Sequence, residues 1–591
     1  MRQTFTHARC SASPLEPRGI IARWGDGDLT VWTGCQVPHV LRTAMARAFR
    51  LPEHRVRVVV TDTGGGFGQK MHTMPEDVAV AALARHVGRP VKWIETRREN
   101  LAAASHAREA RVEIEAAADG SGRLLGLRAR IHSDAGAYHV HPLTASLEPM
   151  GIGGILPGPY RVPAYAFDVT AVATNKPPLG AYRGVGMTMG AFAMERTLDL
   201  LARSMGLDPA EIRRRNLLQP GDYPATSPSG FVYDSGDYPR ALARALDLIG
   251  YERRCAERDE ARRRGRLLGV GLSCYTEFTG IGTRTYRQRG MVEMPGAEAA
   301  RLRLDADGGV TCRVSFPSQG QGHATTIAQI VADQIGVKLE DVRVVQPDTG
   351  EGPAGTGTFA SRGAVAQSGA VGGAAARLRE RIAVVAARAL EASAADLVFQ
   401  ADRVSVRGMP DRTIAFAEVA RRAATDSEGG CGIEVVHHFD PPGPAFAGAV
   451  HAACVEVDRD TGRVAVLDYA VVEDCGPVIN PMIVEGQIHG AVAQGIGEAL
   501  SERLVYDDAG QLLSGTLMEY ALPAASSLPA PAVDHLEVPS PLVPGGYKGM
   551  GEGGTIGAPA AIANAVADAV QPLGVSITAL PVLASSIVEP G

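Results

Sequence analysis

Two stretches of this 591-residue chain, 286 positions apart, follow one plan, and that internal repeat limits the fold more than any other feature. The first, GDLTVWTGCQVPHVLRTAMARAFRLPEHRVRVVVTDTGGGFGQK, reads as strand, loop, helix, strand and glycine-rich loop. Val40, Leu41, Ala44, Met45 and Ala48 recur at helical spacing, and Val56 to Val60 is a short β-branched run. The second begins at Gly308 with GGVTCRVSFPSQGQGHATTIAQIVADQIGVKLEDVRVVQPDTG. At constant offset Leu51 meets Val337, Val56 to Val59 meets Val342 to Val345, and Asp62-Thr63-Gly64 meets Asp348-Thr349-Gly350. A glutamine-bearing loop precedes the helix in both copies, with Gln36 in one and Gln319 and Gln321 in the other. The expectation is a mixed α/β (α+β) protein of two related domains facing one site. Chance matching of small apolar residues is the alternative.

Glycine accounts for 69 residues, in clusters and without a collagen-like period, which suggests main chain wrapping a ligand. The densest run is GGYKGMGEGGTIGAPAAIANAVADAV, from Gly545 to Val570, with the carboxylate of Glu552 among glycines just ahead of an Ala-rich helix. A carboxyl stripped of water there has a raised pKa and serves as a base near neutral pH. A glutamate that merely caps the helix through its dipole fits the segment equally well.

Between the repeats, MPEDVAVAALARHVGRPVKWIETRREN reads as helix then strand, and residues 110–171 read as strands with a hairpin at AADGSGRLLG. In GAYRGVGM, Arg183 precedes a helix that starts near Met189. It is either an anion receptor working with free backbone N–H groups or an ordinary buried ion pair. Asp208-Pro209 is an N-cap and first-turn pair, and the Arg213-Arg214-Arg215 run behind it reads as the solvated face of that helix. The charge-dense residues 239–268 read as an exposed helical connector, which puts the boundary between a first domain, 1–238, and a second, 239–591. GTGTFASRG then offers amides and hydroxyls at a helix start without a P-loop Gly-Lys-Ser/Thr. A later helix from about Val484 carries Gln487, His489 and Gln494, with His489 read as a packing residue.

A net charge of -6 over this length provides no footprint for nucleic acid or an anionic membrane. No window nears the ~18 apolar residues of a membrane span, and the first residues lack a signal-type apolar core, so a cytoplasmic location is expected. The eight cysteines are scattered with no C-x-x-C, which argues against a local iron–sulfur or zinc site.

Taken in order, TGCQVPHV, DTGGGFGQK, GRPVKWIETRREN, GAYRGVGM, GQGHATTIAQIVAD, GTGTFASRG, EDCGPVINPMIVEGQIHGAVAQGIGEAL and GYKGMGEGGTIGAPAAIANAVADAV span almost the whole chain. Together they resemble the molybdenum-cofactor-binding large subunits of the xanthine dehydrogenase/aldehyde oxidase family, nearest in style to bacterial carbon monoxide dehydrogenase-like and aldehyde dehydrogenase-like members. The resemblance implies two related molybdenum-cofactor-binding domains around a shared cofactor cleft. It also implies oxidative hydroxylation of an aldehyde or N-heterocycle with water as oxygen source. Glu552 resembles the family's base at the Mo–OH group, and Gln36 the catalytic-site glutamine near the molybdenum oxo group. The resemblance gives cofactor-binding roles to Gly65, Gly66, Phe67, Gly68, Arg183, Gly184, Gln319, Gly320, Gln321, Gly322, His323, Thr358, Ser361 and Arg362. The same roles extend to Asp474, Asn480, Gln487, Lys548, Gly549 and Gly551. Molybdenum would be held through the sulfurs of the pterin, in the form of molybdopterin cytosine dinucleotide, with no protein metal ligand.

Gly184 stands where carbon monoxide dehydrogenases carry a copper-bridging cysteine, and Met71 where purine oxidisers carry a glutamate, so neither substrate is expected. Relatives carry a further domain ahead of the Glu16-Pro17-Arg18-Gly19 motif, which implies a separate polypeptide or a truncated product. The chain has neither an iron–sulfur cysteine pattern nor a flavin-type dinucleotide fingerprint, so iron–sulfur and FAD subunits are the expected electron acceptors, in a dimer of such heteromers. The alternative function is a truncated or non-catalytic paralogue that binds cofactor or partners without turnover. A nicotinamide-dependent dehydrogenase is disfavoured by the missing fingerprint.

Overall fold

The computed structural model describes residues 1–143, 146–425 and 432–588; Cys431, counted above, lies outside them. Each repeat is a small four-stranded sheet with a crossover helix. In the first, Gly19–Gly25 and Asp28–Thr33 form an antiparallel pair, helix Pro38–Phe49 crosses over, and Val56–Val60 returns parallel to Asp28–Thr33. In the second, Glu298–Leu304, Val310–Val314, helix His323–Ile335 and Val342–Val345 do the same in the same strand order. Parallel neighbours require such a crossover, and Val56, Val58 and Val60 turn alternate side chains inward as a half-buried strand must. The two units meet where strand Val56–Val60 of the first passes the Asp348-Thr349-Gly350 turn of the second. Thr349 N donates to Val58 O at 3.0 Å, Val60 N to Pro347 O at 3.1 Å, and Arg57 Nε to Asp348 Oδ1 at 2.9 Å.

The remaining mass is organised on a four-stranded sheet in the order Leu267–Thr279, Ala445–Val457, Val464–Asp474, Ala532–Leu536. All of Leu267–Thr279 is buried, because helix Gly553–Ala569 lies on it. Sixteen of that helix's 17 residues are buried, as expected of a helix that is apolar all round and has neighbours on every side. It also packs on Gly186–Ser204 and on Pro481–Leu500. Contact with the sheet is main chain to main chain: a Cβ on Gly269 would stand 2.0 Å from Ala565 O, and one on Gly271 2.2 Å from Ala561 O.

The two sequence halves interlock. Strand Ala579–Leu580 pairs in parallel with Arg2–Cys10 at the edge of the sheet that continues through Ala107–Ala118, Leu124–Gly136 and Tyr165–Ala173. The main core accordingly mixes Phe5 and Phe192 with Leu272, Val450 and Ile562, while a second core is confined to the later repeat and its neighbours. Among the described residues no helix is long and apolar enough to cross a membrane.

Four local expectations change. Residues 147–155, read as part of a strand region, form helix Leu147–Ile155, because the glycines of LEPMGIGGI let it press on helix Gly186–Ser204; a Cβ on Gly186 would stand 2.1 Å from Glu148 O. The connector is two helices, of which Tyr238–Ile249 buries Ala241, Leu242, Ala245, Leu246 and Ile249 against the central sheet, so only Tyr251–Arg263 is largely exposed. His489, read as a packing residue, is exposed. Arg213 is wholly buried, because helical rotation turns it inward onto Glu195 at 2.8 Å and Asp199 at 2.7 Å; Arg214 and Arg215 face outward beside Glu211.

Removing one partner of a buried ion pair strands the other charge, at a cost of about 3–5 kcal/mol. Arg213→Ala should therefore lower unfolding stability by that order in urea denaturation, whereas Arg215→Ala, two residues on, should change it by less than about 1 kcal/mol.

Candidate active site

The glycine loops converge on one cavity of about 920 Å³ at the junction of the two repeats and the Glu552 helix. Gln36 ties the repeats together: its Nε2 donates to Thr358 O at 2.9 Å, its Oε1 accepts from Gly68 N at 3.0 Å, and its carbonyl accepts from Thr358 N at 2.9 Å. Gln319 makes the mirror contact, with Nε2 on Thr358 O at 3.2 Å and its carbonyl on Gly65 N at 3.1 Å. Between them Gly66 leaves no room for a side chain, since a Cβ would lie 2.8 Å from Gln36 Oε1 and 3.0 Å from Gln319 Oε1. Gly68 needs φ +105°, open to glycine alone among ordinary residues.

The opposite wall is built from Arg183, the 546–552 loop and the 358–363 loop. Arg183 is buried and bonds no carboxylate. Its donors go to Gly551 O, to Gln494 Oε1 at 3.0 Å, and to the carbonyl and side-chain oxygens of Gln487 at 3.1 Å, and burial lowers its pKa. Lys548 is committed to Asp474 at 3.0 Å, and Arg362 to Glu298 and Gly357 O. A Cβ on Gly549 would stand 1.6 Å from Ser361 O, and Ser361 Oγ accepts from Glu552 N at 2.9 Å, so these two loops are locked in contact.

Glu552 occupies the N-cap position of helix Gly553–Ala569, and its side chain makes no cap hydrogen bond. Its Oε2 has no partner. Burial raises its pKa, opposed by the backbone N–H groups of Gly184 and Ala360 and by the positive charges of Arg183 and Arg108. Glu277, fully buried, is pushed well above the carboxylate range, first by burial and then by the charge of Glu552, with Ser361 and the charge of Arg183 opposing.

Most residues singled out from the sequence line this cavity: Gln36, Gly65 to Gly68, Arg183, Gln319 to Gln321, His323, Thr358, Ser361, Arg362, Asn480, Gln487, Lys548, Gly549, Gly551 and Glu552. Gly184, Gly322 and Asp474 do not. Gly184 turns the arginine loop at φ +90°, Gly322 precedes the second crossover helix at φ +77°, and Asp474 sits behind Lys548. Sequence reasoning missed Arg108, whose guanidinium holds Glu498 at 2.9 and 3.0 Å and gathers the carbonyls of Tyr182, Arg183 and Val185. It sits in a strand with no motif to mark it. Also missed was an apolar wall that includes Leu147, Met150, Phe231, Phe278 and Tyr286, contributed by segments in which no motif was read.

A flat, polar group fits this lining. Glycine main chain comes within reach on two walls, and Glu552, His323, Gln367 and Tyr286, which line the cavity, each carry a buried polar atom without a hydrogen-bond partner. Cradle and cavity together suit a large prosthetic group approached by main chain, and among the described residues no cluster of His, Cys, Asp and Glu could hold a metal ion. Family models described as molybdopterin cofactor-binding domains match residues 1–217 and 244–529. The chain is 40% identical to the nicotine 6-hydroxylase large subunit of Paenarthrobacter nicotinovorans, over 98% of this chain and 72% of that one. It is 36% identical to the carbon monoxide dehydrogenase large chain of Hydrogenophaga pseudoflava, over 98% and 73%. The crystal structure of quinoline 2-oxidoreductase from Pseudomonas putida 86 superposes with a TM-score of 0.94 at 43% identity, covering 100% of this chain and 76% of that one. This chain belongs to the xanthine dehydrogenase/aldehyde oxidase family of molybdenum-dependent oxidoreductases, as a molybdopterin-binding large subunit.

Gly66→Ala would force both glutamine side chains aside while leaving the cores untouched. Molybdenum content by mass spectrometry should fall several-fold with little change in melting temperature. For Glu277 the sign of the pH effect is set by its raised pKa. Above the unfolded carboxyl's pKa the unfolded chain loses a proton that the folded chain retains, so the wild type loses stability as pH rises. Glu277→Gln should therefore melt higher than wild type, by a margin that widens from about pH 4.5 to pH 8 in thermal scans.

Proposed function

We propose that this subunit catalyses oxidative hydroxylation of an aromatic N-heterocycle or an aldehyde, with water as oxygen source and Glu552 as the general base. The observation that carries the reading is the Glu552 carboxylate itself, one oxygen unpartnered, in the wall of a glycine-lined cavity. When bound, the molybdenum–pterin group supplies the redox chemistry, transferring oxygen derived from water and taking up two electrons.

The protein's own residues supply the proton chemistry and the positioning. Glu552, its pKa raised by burial, accepts a proton near neutral pH, and Arg183 and Arg108 favour its charged form beforehand. Gln36 is held from two sides, by Gly68 N–H and Thr358 O, so its amide is oriented before any ligand arrives. The amides of the two glycine loops and the orphan groups of His323 and Gln367 suit the pterin and a nucleotide tail, which we take to be the cytosine dinucleotide form.

An N-heterocycle is favoured by the apolar wall with Phe231 and Phe278, and by relatives named for nicotine and quinoline. Carbon monoxide is disfavoured at Gly184. A side chain there would meet Thr188 Oγ1 at 2.5 Å from a backbone at φ +90°, so a copper-bridging cysteine would be strained. Electrons would leave to iron–sulfur and flavin subunits, in keeping with relatives named as parts of complexes.

Glu552→Gln should lower kcat by about 10²–10⁴-fold with molybdenum content unchanged. In the wild type kcat/KM should fall on the acid side with an apparent pKa above the ordinary carboxylate value of about 4.3. Near-normal turnover by the variant would remove Glu552 from the chemistry. No turnover by molybdenum-replete wild type on any such substrate would favour a binding-only paralogue.

A further inference from the structure

The apolar end of the cavity contains one cation that the proposed reaction does not use. Arg289 follows the short helix Thr283–Gln288 and lines the cavity one helical turn beyond Tyr286. Its guanidinium carbon lies 5.1 Å from the ring centroid of Phe231 and 5.0 Å from that of Phe278, two rings stacked on each other at 5.6 Å and 20°. A Cβ built on Gly154 would lie 3.9 Å from Arg289 Nη2, so the group is packed from that side as well. Among the described residues it has no ion-pair partner, and no side-chain hydrogen bond leaves it. The other arginines around the cavity differ: Arg183 spends its donors on carbonyl and amide oxygens, Arg108 is paired with Glu498, and Arg362 with Glu298.

Arg289 is half-buried, and ring faces compensate only part of the hydration that a guanidinium gives up beside them. Its five donors form a planar fork whose best complement is a carboxylate bound through both oxygens. Tyr286, one turn earlier on the same side, presents a buried hydroxyl with no partner, a second polar contact for a ring substituent. Burial pushes this phenol up to about 12, and the charges of Arg362, Glu298, Arg289 and Glu552 act on it as well.

We propose that Arg289 is a substrate-specificity residue. It clamps a carboxylate borne by the aromatic heterocycle, the ring lying along the wall formed by Phe231 and Phe278, with the acid group remote from the carbon presented toward Glu552. The preferred substrate is then an aromatic N-heterocyclic carboxylic acid rather than the neutral ring. This deepens the reading of the cavity as a hydroxylation site and rests on it.

The test uses the purified molybdenum-replete complex and a pair of probes that carry no ring nitrogen and are not turned over, naphthalene-2-carboxylate and 2-naphthamide, titrated by calorimetry. The acid should bind at least about tenfold more tightly than the isosteric amide. Arg289→Gln should erase that preference while moving the amide's Kd less than about twofold, and Arg289→Lys should retain part of it. Equal affinity for acid and amide in the wild type, binding of neither, or a preference unmoved in Arg289→Gln would overturn the proposal. Should Arg289→Gln fail to fold, the wild-type probe ratio and the lysine variant still decide. The hydroxylation reading fails separately, by absence of molybdenum or by a fully active Glu552→Gln.

Discussion

Backbone approach closer than any side chain would permit is the constraint on which this structure depends. It operates at two levels. Gly269 and Gly271 let the helix behind Glu552 lie directly on the strand Leu267–Thr279, which fixes that helix in depth and direction. At the cavity, Gly66 and Gly549 let loops from distant parts of the chain touch, so that Gln36, Gln319 and Thr358 can exchange hydrogen bonds across the repeat junction. Substitution by alanine at such points does not simply add a methyl group, because the atom in the way is often main chain, which has nowhere to go.

On this scaffold the charges are arranged in depth. Arg108 lies behind the cavity, neutralised by Glu498, and its remaining donors collect the carbonyls of the loop that carries Arg183. Arg183 in turn spends itself on neutral oxygens and leaves its field to act on Glu552. Glu277 is pushed well above the carboxylate range because burial and a second carboxylate together make its charge costly. The result at Glu552 is a carboxyl group whose pKa is raised by dehydration but held back by two arginines, a compromise that neither influence alone would produce.

How much of this was legible in the sequence depends on whether local residue types carried the signal. The crossover units could be read because Val56 to Val60 and Val342 to Val345 keep one spacing from their helices, and glycine with glutamine marked the loops that face the cavity. Arg213 and Arg108 could not be read, since nothing adjacent in sequence reveals a glutamate brought opposite by folding; Arg108 meets its carboxylate 390 positions away. Helix Leu147–Ile155 escaped because its glycines argue against a helix locally and are justified only by the neighbouring helix. The apolar wall escaped for a similar reason, as Phe231 and Phe278 belong to segments that look like ordinary scaffold.

The pairing of strand Ala579–Leu580 with Arg2–Cys10 has a consequence for biogenesis. A polypeptide grows from its N-terminus, so the first glycine loop leaves the ribosome hundreds of residues ahead of the loop with Glu552 and the helix that seats it. Until that helix has emerged and docked, the vessel lacks a wall, and a group gripped from both sides has nothing to close on.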